Sequence, residues 1–334
     1  MRLYLAGAEA WTNLLLDLGV KYQLFSFFYL RTMMFNEGAK VRSMFSRMRK
    51  AKAKGYSFML DSGAFTYQMM SNAGRPVPDV AKYFEEYKRF CLDYGDLFDI
   101  IIEFDVDHYV AGLKTEQVDT WTNDLLAQPS LAQKIMPVYH NHRGEKWLRA
   151  WLADTSSPFI AVGSAAANEQ AASLTASSTA GWISSFIANA HRFGKWVHGL
   201  AYTRIRTDMK YTNFDSVDST TWLRADKYGG SCYFINDKFI VLDHKHKADR
   251  AKYKMYYERW KLDFDKIMKD DLHENRKATI IAWRELANSF ERKWAFQGAK
   301  YPYMYQLAQD NRVPLEHPLI TKLKQERANG NSTS

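Results

Sequence analysis

Two aspartates in this chain stand where a strand-like apolar run gives way to small and hydroxylated residues. Asp61 closes the run Tyr56 to Leu60 and opens Asp61-Ser62-Gly63-Ala64-Phe65. Asp218 closes Phe214 to Val217 and is followed by Ser219, Thr220 and Thr221. Two carboxylates facing one sugar divide a glycosyl transfer between them: one attacks the anomeric carbon, and the other exchanges protons with the leaving group or the incoming nucleophile. Each also has a plain structural use. Asp61 caps backbone amides beside Gly63, and Asp218 or the hydroxyls after it cap a following helix. Their joint placement at strand ends favours a shared pocket.

Further candidates lie at other strand ends. Asp105 and Asp107 follow the apolar run Leu97 to Phe104 two residues apart, so in extended chain they point the same way. Like charges that close call for a metal or a hydrogen-bond-donating ligand, or they are exposed loop acids. His140, after Ile135 to Tyr139, reads equally as a base-recognition residue or a satisfied polar core group. Gly163-Ser164 follow Phe159 to Val162, and His198-Gly199 follow Trp196-Val197. Glycines there let a flat ligand approach the backbone, or simply turn the chain.

The elements that must position these residues alternate regularly. Strands are expected at Arg2–Ala6, Tyr22–Leu30, Tyr56–Leu60, Leu97–Phe104, Ile135–Tyr139, Phe159–Val162, Trp196–Val197 and Phe214–Val217. Helical spacing falls at Glu9–Leu18, Ala39–Lys54, Asp79–Tyr94, Thr115–Leu126, Glu145–Leu152 and Ala180–Phe193, with a short piece at Arg204–Tyr211. Eight strand–helix units predict an α/β protein, a (β/α)8 TIM barrel whose strand C-terminal ends converge on one mouth; an open doubly wound sheet is the alternative. Cys232 to Leu242 flanks Asn236-Asp237 as a β-hairpin insertion after the eighth strand. The expected organisation is a barrel core over 1–222, the hairpin over 223–243 and a basic helical C-terminal region over 244–334. That region carries Arg250, Lys252, Lys254, Arg259 and Lys261 among aromatics, which reads as a solvated face or as a nucleic-acid contact.

At 334 residues, with 46% hydrophobic and 25% charged, the chain can bury a sizeable core. Its net charge of +9 and high aromatic share of 15% point to a polyanionic partner, with nucleic acid favoured. Two cysteines provide neither a disulfide framework nor a cysteine-rich zinc cluster, and they fit a reducing compartment. No run reads as a signal peptide or a membrane span, so a cytoplasmic protein is expected.

The motifs, taken in order, resemble one family. Asp61-Ser62-Gly63-Ala64-Phe65 is similar to the Asp-Ser-Gly-Gly-Phe-Gln signature of tRNA-guanine transglycosylases. Phe104-Asp105 resembles that family's Phe-Asp-Glu base-recognition segment, and Ile160-Ala161-Val162-Gly163 its Ala-Val-Gly-Gly stretch. His198-Gly199-Leu200 stands where the family has Met-Gly-Val-Gly, and Phe214 to Ser219 resembles the segment bearing its nucleophilic aspartate. The resemblance covers residues 56 to 275. It implies a barrel that exchanges guanine for a 7-deazaguanine without cutting the backbone, with Asp218 as nucleophile, Asp61 as general acid/base and Asp105 reading the guanine edge. Asp107, His140, Gly163, Ser164, His198 and Gly199 would complete the base site.

His140 falls where the family has a glutamine, Val106-Asp107 replaces Glu-Cys, and Ala64 and Thr66 depart from the signature. That pattern is most similar to the phage and bacterial branch acting on DNA, which implies DNA over tRNA, a base such as 7-cyano-7-deazaguanine, and host cytoplasm if phage-encoded. The family's structural zinc is held by three cysteines and a histidine. Here His244, His246, Asp249 and His273 stand at about that interval and would hold zinc with harder ligands, or contact phosphate. No cofactor is required for the chemistry. The rival readings are the same exchange on tRNA, a metal-dependent barrel hydrolase using Asp61, Asp105, His140 and Asp218, and a barrel that binds nucleic acid without chemistry.

Overall fold

The computed structural model describes residues 1–106, 112–163, 176–202, 214–223, 230–242 and 244–297. Strands and helices alternate: β1 (Arg2–Ala6), α1 (Thr12–Asp17), β2 (Tyr22–Ser26), α2 (Phe27–Lys52), β3 (Ser57–Asp61), α3 (Ala64–Asn72), α4 (Val80–Tyr94), β4 (Ile100–Ile102), α5 (Thr115–Leu126), β5 (Ile135–Met136), β6 (Val138–Tyr139), α6 (Gly144–Ala153), β7 (Phe159–Gly163), α7 (Ala176–Arg192), β8 (Trp196–Leu200) and β9 (Ser216–Ser219). There follow β10 (Ser231–Ile235), β11 (Lys238–Leu242), α8 (Lys254–Arg259), α9 (Phe264–Met268) and α10 (Leu272–Gln297). The chain divides into two compact units, one built on Met59–Val217 and the other on Arg2–Phe58 with Asp218–Trp294.

In the Met59–Val217 unit every strand pair is parallel. Met59 lies opposite Ile100, Ile101 opposite Ile135, Val138 opposite Ala161, Ile160 opposite Val197, and His198 opposite Ser216. β5 and β6 are one strand interrupted at Pro137, which has no N–H to give to a ladder. Strand order within the unit follows the sequence without the reversal that a doubly wound sheet makes at its switch point. β4 and β7 are buried at every residue, as expected where helices cover both faces and strands become continuous apolar runs.

Helix α4 shows how the sequence builds one of those covers. The Asp79 side chain caps it, accepting from Ala81 N at 3.0 Å and Lys82 N at 3.1 Å, which satisfies donors that have no partner inside the helix. Its apolar stripe buries Tyr83, Phe84, Tyr87, Phe90 and Cys91. Phe84 stacks on Trp121 at 4.9 Å, and Phe104 lies 5.4 Å from Tyr83 and 5.5 Å from Trp121. The phenol tips reach the strand ends: Tyr83 donates to Ser62 O at 2.9 Å and Tyr87 to Ile102 O at 2.6 Å.

In the other unit β1 and β2 are parallel, with Leu5 opposite Gln23. The hairpin is antiparallel, and its turn residues Asn236 and Asp237 take φ of 48° and 61°. Two left-handed residues give a two-residue turn the twist of its strands. Tyr233 and Leu242 of the hairpin share a core with Tyr257, Leu262, Ile267, Ala278 and Ile281. The expected insertion is therefore built into the packing of the C-terminal helices. Neither cysteine is in a disulfide, and both are buried. No helix among the described residues is long and apolar enough to cross a membrane.

Several expected boundaries move. The aromatic run expected to extend β2 to Leu30 is instead the start of α2, because Phe27 and Leu30 are buried while Tyr29 is 49% exposed, a helical rather than alternating pattern. The loop after Asp61 contains α3. Phe214 to Val217 was expected to form the eighth strand with Asp218 beyond it; β9 runs Ser216–Ser219 and Asp218 lies inside it. Arg250, expected on a basic surface, is fully buried and donates to Ile267 O at 2.8 Å and Asp270 Oδ1 at 2.6 Å. The helical piece expected at 204–211 lies outside the described residues.

Glu9, just after β1, is 6% exposed and accepts from Ser26 N, the residue that leads into α2. Burial pushes its carboxyl up from 4.5 to about 7. The folded state then holds a proton that the unfolded chain has released between those values, so stability is fully present below pH 4.5 and declines as pH rises toward 7. The difference amounts to roughly 3 kcal/mol. Glu9→Gln keeps an acceptor for Ser26 without the charge. Urea melts are expected to show the variant gaining on wild type by about that amount between pH 4.5 and 7, whereas parallel curves would remove Glu9 from the titration.

Candidate functional site

The site is built from the ends of β3, β4, β6 and β7. β3 ends at Asp61, whose Oδ2 accepts from Gly63 N at 3.0 Å. Gly63 sits at φ 81° as the lead-in to α3, a conformation open to glycine at no steric cost. This tight turn buries Ser62 completely. Its Oγ accepts from Ala64 N at 3.3 Å and donates a long bond, 3.5 Å, to Asp105 Oδ1.

Asp105 follows β4 and is 4% exposed. Its Oδ2 lies 3.0 Å from His140 Nε2. His140, itself 1% exposed, follows β6. With the carboxylate accepting, Nε2 carries the proton, and a neutral ring then offers Nδ1 as an acceptor. Gly163, the last residue of β7, faces that ring: a Cβ there would lie 2.8 Å from His140 Cε1 and 2.9 Å from Nδ1. The glycine makes room for the imidazole that braces Asp105. Fold and chemistry thus converge on one buried carboxylate, held from two sides by groups at neighbouring strand ends.

Beneath it lies a residue that sequence reasoning passed over. Glu103 is fully buried, accepts from Thr122 Oγ1 and Val138 N at 2.7 Å each, and pairs with the buried Arg143 guanidinium. Burial holds its carboxyl above the usual range, with Arg143 opposing. Arg143 also donates to Val138 O at 2.8 Å, and its own N–H donates to His140 O at 3.0 Å. The available sequence signal was an acid inside an otherwise apolar strand-end run, Ile-Ile-Glu-Phe-Asp.

Other expected site residues are placed differently. His198 is fully buried within β8, with Nδ1 2.8 Å from Ser216 Oγ, which also accepts from Trp196 Nε1 at 3.0 Å. A Cβ on Gly199 would lie 2.9 Å from Tyr202 Cβ and 3.0 Å from the Phe214 ring, so close packing there requires glycine. Asp107 and Ser164 lie outside the described residues. Asp218, in the other unit, is 6% exposed, and the neighbouring Ser219 Oγ accepts from Thr221 N at 3.1 Å. The acid three residues earlier is spoken for: Asp215 Oδ2 accepts from Val197 N at 2.7 Å and lies 2.8 Å from His191 Nε2.

The residues considered for zinc do not assemble where they are described. The Asp249 carboxylate takes Lys252 Nζ at 2.6 Å, which holds its pKa below the usual range. His246 and His273 are exposed, and the side chain of His244 is not described. Among the described residues no group of three or more His, Cys, Asp or Glu is placed to hold a metal ion.

No protein-family model matches the chain, and no curated protein matches it significantly. The functional reading therefore rests on the geometry and on the motifs.

Two substitutions, at Glu103 and Gly163, test the support around Asp105, and one at the exposed Glu145 serves as a control. Glu103→Ala strands a buried guanidinium and is expected to cost about 3–5 kcal/mol in denaturant unfolding. Glu145→Ala, which breaks the Arg149–Glu145 pair whose side chains are 76% and 74% exposed, is expected to cost under about 1 kcal/mol. Gly163→Ala overpacks against His140 and is expected to cost about 1–3 kcal/mol. In a His140→Ala background that cost should largely vanish, and an unchanged cost would mean that the glycine serves the backbone instead.

Proposed function

We propose that this chain is a transglycosylase that replaces guanine in DNA with a 7-deazaguanine derivative, built on a (β/α)8 barrel. The observation that carries the reading is the Asp105 carboxylate at the end of β4, buried and braced by His140 and Ser62. A carboxylate has only acceptors, which suits guanine's N1–H and 2-amino group and disfavours the edge of adenine. The barrel is supported by parallel pairing in sequence order within the Met59–Val217 unit and by the parallel β1–β2 pair in the other. The motif series that resembles tRNA-guanine transglycosylases supplies the remaining roles.

In the proposed reaction the Asp218 carboxylate attacks C1′ of the target nucleotide. The C1′–N9 bond breaks, guanine leaves with a proton from Asp61, and an ester joins the nucleotide to the enzyme. The incoming deazaguanine gives its proton to Asp61 and attacks the same carbon, which releases Asp218. One base replaces another with no oxidant, reductant or phosphoryl donor, on carboxylates alone. The target base must leave the helical stack to be reached. The departures at Val106-Asp107 and His140 favour DNA over tRNA.

Labelled-guanine exchange on DNA and tRNA side by side is the test. DNA is expected to exchange, and Asp218→Asn and Asp61→Asn each to lower the rate by about 100-fold or more. Asp105→Ala is expected to weaken base uptake far more than DNA binding. Near wild-type exchange by Asp218→Asn, or base release that depends on added metal, would overturn the reading, and exchange confined to tRNA would reassign the substrate.

A further inference from the structure

The net charge of +9 is unevenly deployed. The run 244–297 holds fourteen Lys and Arg against nine acids, and many of these cations are already engaged. Lys247 and Arg250 pair with Asp270, Lys252 with Asp249, Lys277 with Glu274 and Arg284 with Glu285. Helix α2 carries seven basic residues against the single acid Glu37, a net of +6 in 26 residues; Lys40 pairs with Glu37 and Arg47 with Asp17, and the surplus is concentrated in one element.

Helix α2 is two helical segments joined at Glu37, whose φ of −135° and ψ of 41° break the helical path. The second segment buries Val41, Met44, Phe45, Met48 and Ala51. Its opposite face exposes Arg42, Ser43, Ser46, Arg49 and Lys50, so small hydroxylated residues separate the cations. At a rise of about 1.5 Å per residue, Arg42 and Arg49 stand about 10 Å apart along the axis. Among the described residues neither Arg42 nor Lys50 has a side-chain partner. The first segment ends in Phe35, 91% exposed and the most exposed large apolar side chain in the described chain, and also presents Tyr29 at 49%.

We propose that α2 is a docking surface for single-stranded DNA, with Arg42 and Lys50 following the phosphates and Phe35 stacking on a base. Exposed cations spaced by small residues beside exposed aromatics match the way single strands are held, since every base has a face to stack and every step a charge to neutralise. A membrane surface fits less well: the apolar stripe of the helix is 0–8% exposed, and the exposed Phe35 and Tyr29 are single side chains rather than a continuous apolar face to insert. The choice of DNA rests on the transglycosylase reading above; the charge and the aromatics do not.

The experiment is fluorescence anisotropy of a labelled oligodeoxythymidine against salt, using the full chain and its variants. Arg42→Ser/Lys50→Ser is expected to weaken binding at least about tenfold and to flatten the salt slope by about 1.4, two contacts at 0.7 each. Phe35→Ala is expected to weaken binding roughly 5- to 100-fold and leave the slope unchanged. Circular dichroism confirms that each variant folds. A larger loss from Lys252→Ser/Lys254→Ser, an unchanged slope in the α2 double variant, or tighter binding of that helix to phosphatidylserine vesicles than to the oligonucleotide would each overturn the proposal. Binding that depends on α2 with no guanine exchange would end the transglycosylase reading alone, and exchange with undiminished binding in the double variant would end this one alone.

Discussion

Proline at position 137 breaks the strand that should join β4 to β7, and a buried ion pair repairs the break. Glu103 accepts the N–H of Val138 just past the proline, while Arg143 takes the Val138 carbonyl and, through its own N–H, the carbonyl of His140. The two residues that flank this repair in sequence are Asp105, two after Glu103, and His140, three before Arg143. A buried pair of this kind gains little over apolar packing, yet it is costly to half-remove, because either charge left alone is buried without compensation. What it supplies here is position. It fixes the end of β4 against the start of β6 closely enough for an aspartate and a histidine from separate strands to meet at 3.0 Å.

The aromatic layer beneath works toward the same end by different physics. Phe104 is packed by Tyr83, Phe84, Tyr87 and Trp121, and offset rings of this kind add about 0.5–1.5 kcal/mol each beyond their buried area. Two of those rings end in hydroxyls that reach strand-end carbonyls, so one helix grips the backbone at both Ser62 and Ile102. Such packing restrains the strand-end carboxylate, which if free to rotate would accept from many partners. Buried polar groups that are hydrogen-bonded on each side have one orientation to offer.

Charge is spent in two ways along the chain. In the C-terminal helices part of it goes into pairs, and Arg250 has left the surface altogether to hold α9 and the turn after it. In α2 Lys40 and Arg47 are paired too, with Glu37 and Asp17, while Arg42 and Lys50 stand on the exposed face. Net charge counted along a sequence speaks of a polyanionic partner without saying where that partner sits, since a cation paired at 2.6 Å contributes little outward field. Burial and pairing decide which part of the surplus faces solvent.

Periodicity by itself determined the alternation of strands and helices, the capped helix after Asp79, the helix Thr115–Leu126 and the two-residue hairpin turn, because each depends on residues within a few positions of one another. It likewise marked Asp61, Asp105, His140 and Gly163 as strand-end residues. Sequence could not tell where β2 stops, since Phe27 to Leu30 has the aromatic composition of a strand; the direction of burial around it and the Glu9 bond to Ser26 turned it helical. Nor could it show that Asp215, in the same short segment as Asp218, is held by partners from β8 and α7. The meeting of Asp105 with His140, and the Glu103–Arg143 pair that arranges it, join residues 35 and 40 positions apart. Local pattern carries no information on such a contact; only the parallel packing of β4 against β5 brings those strand ends together.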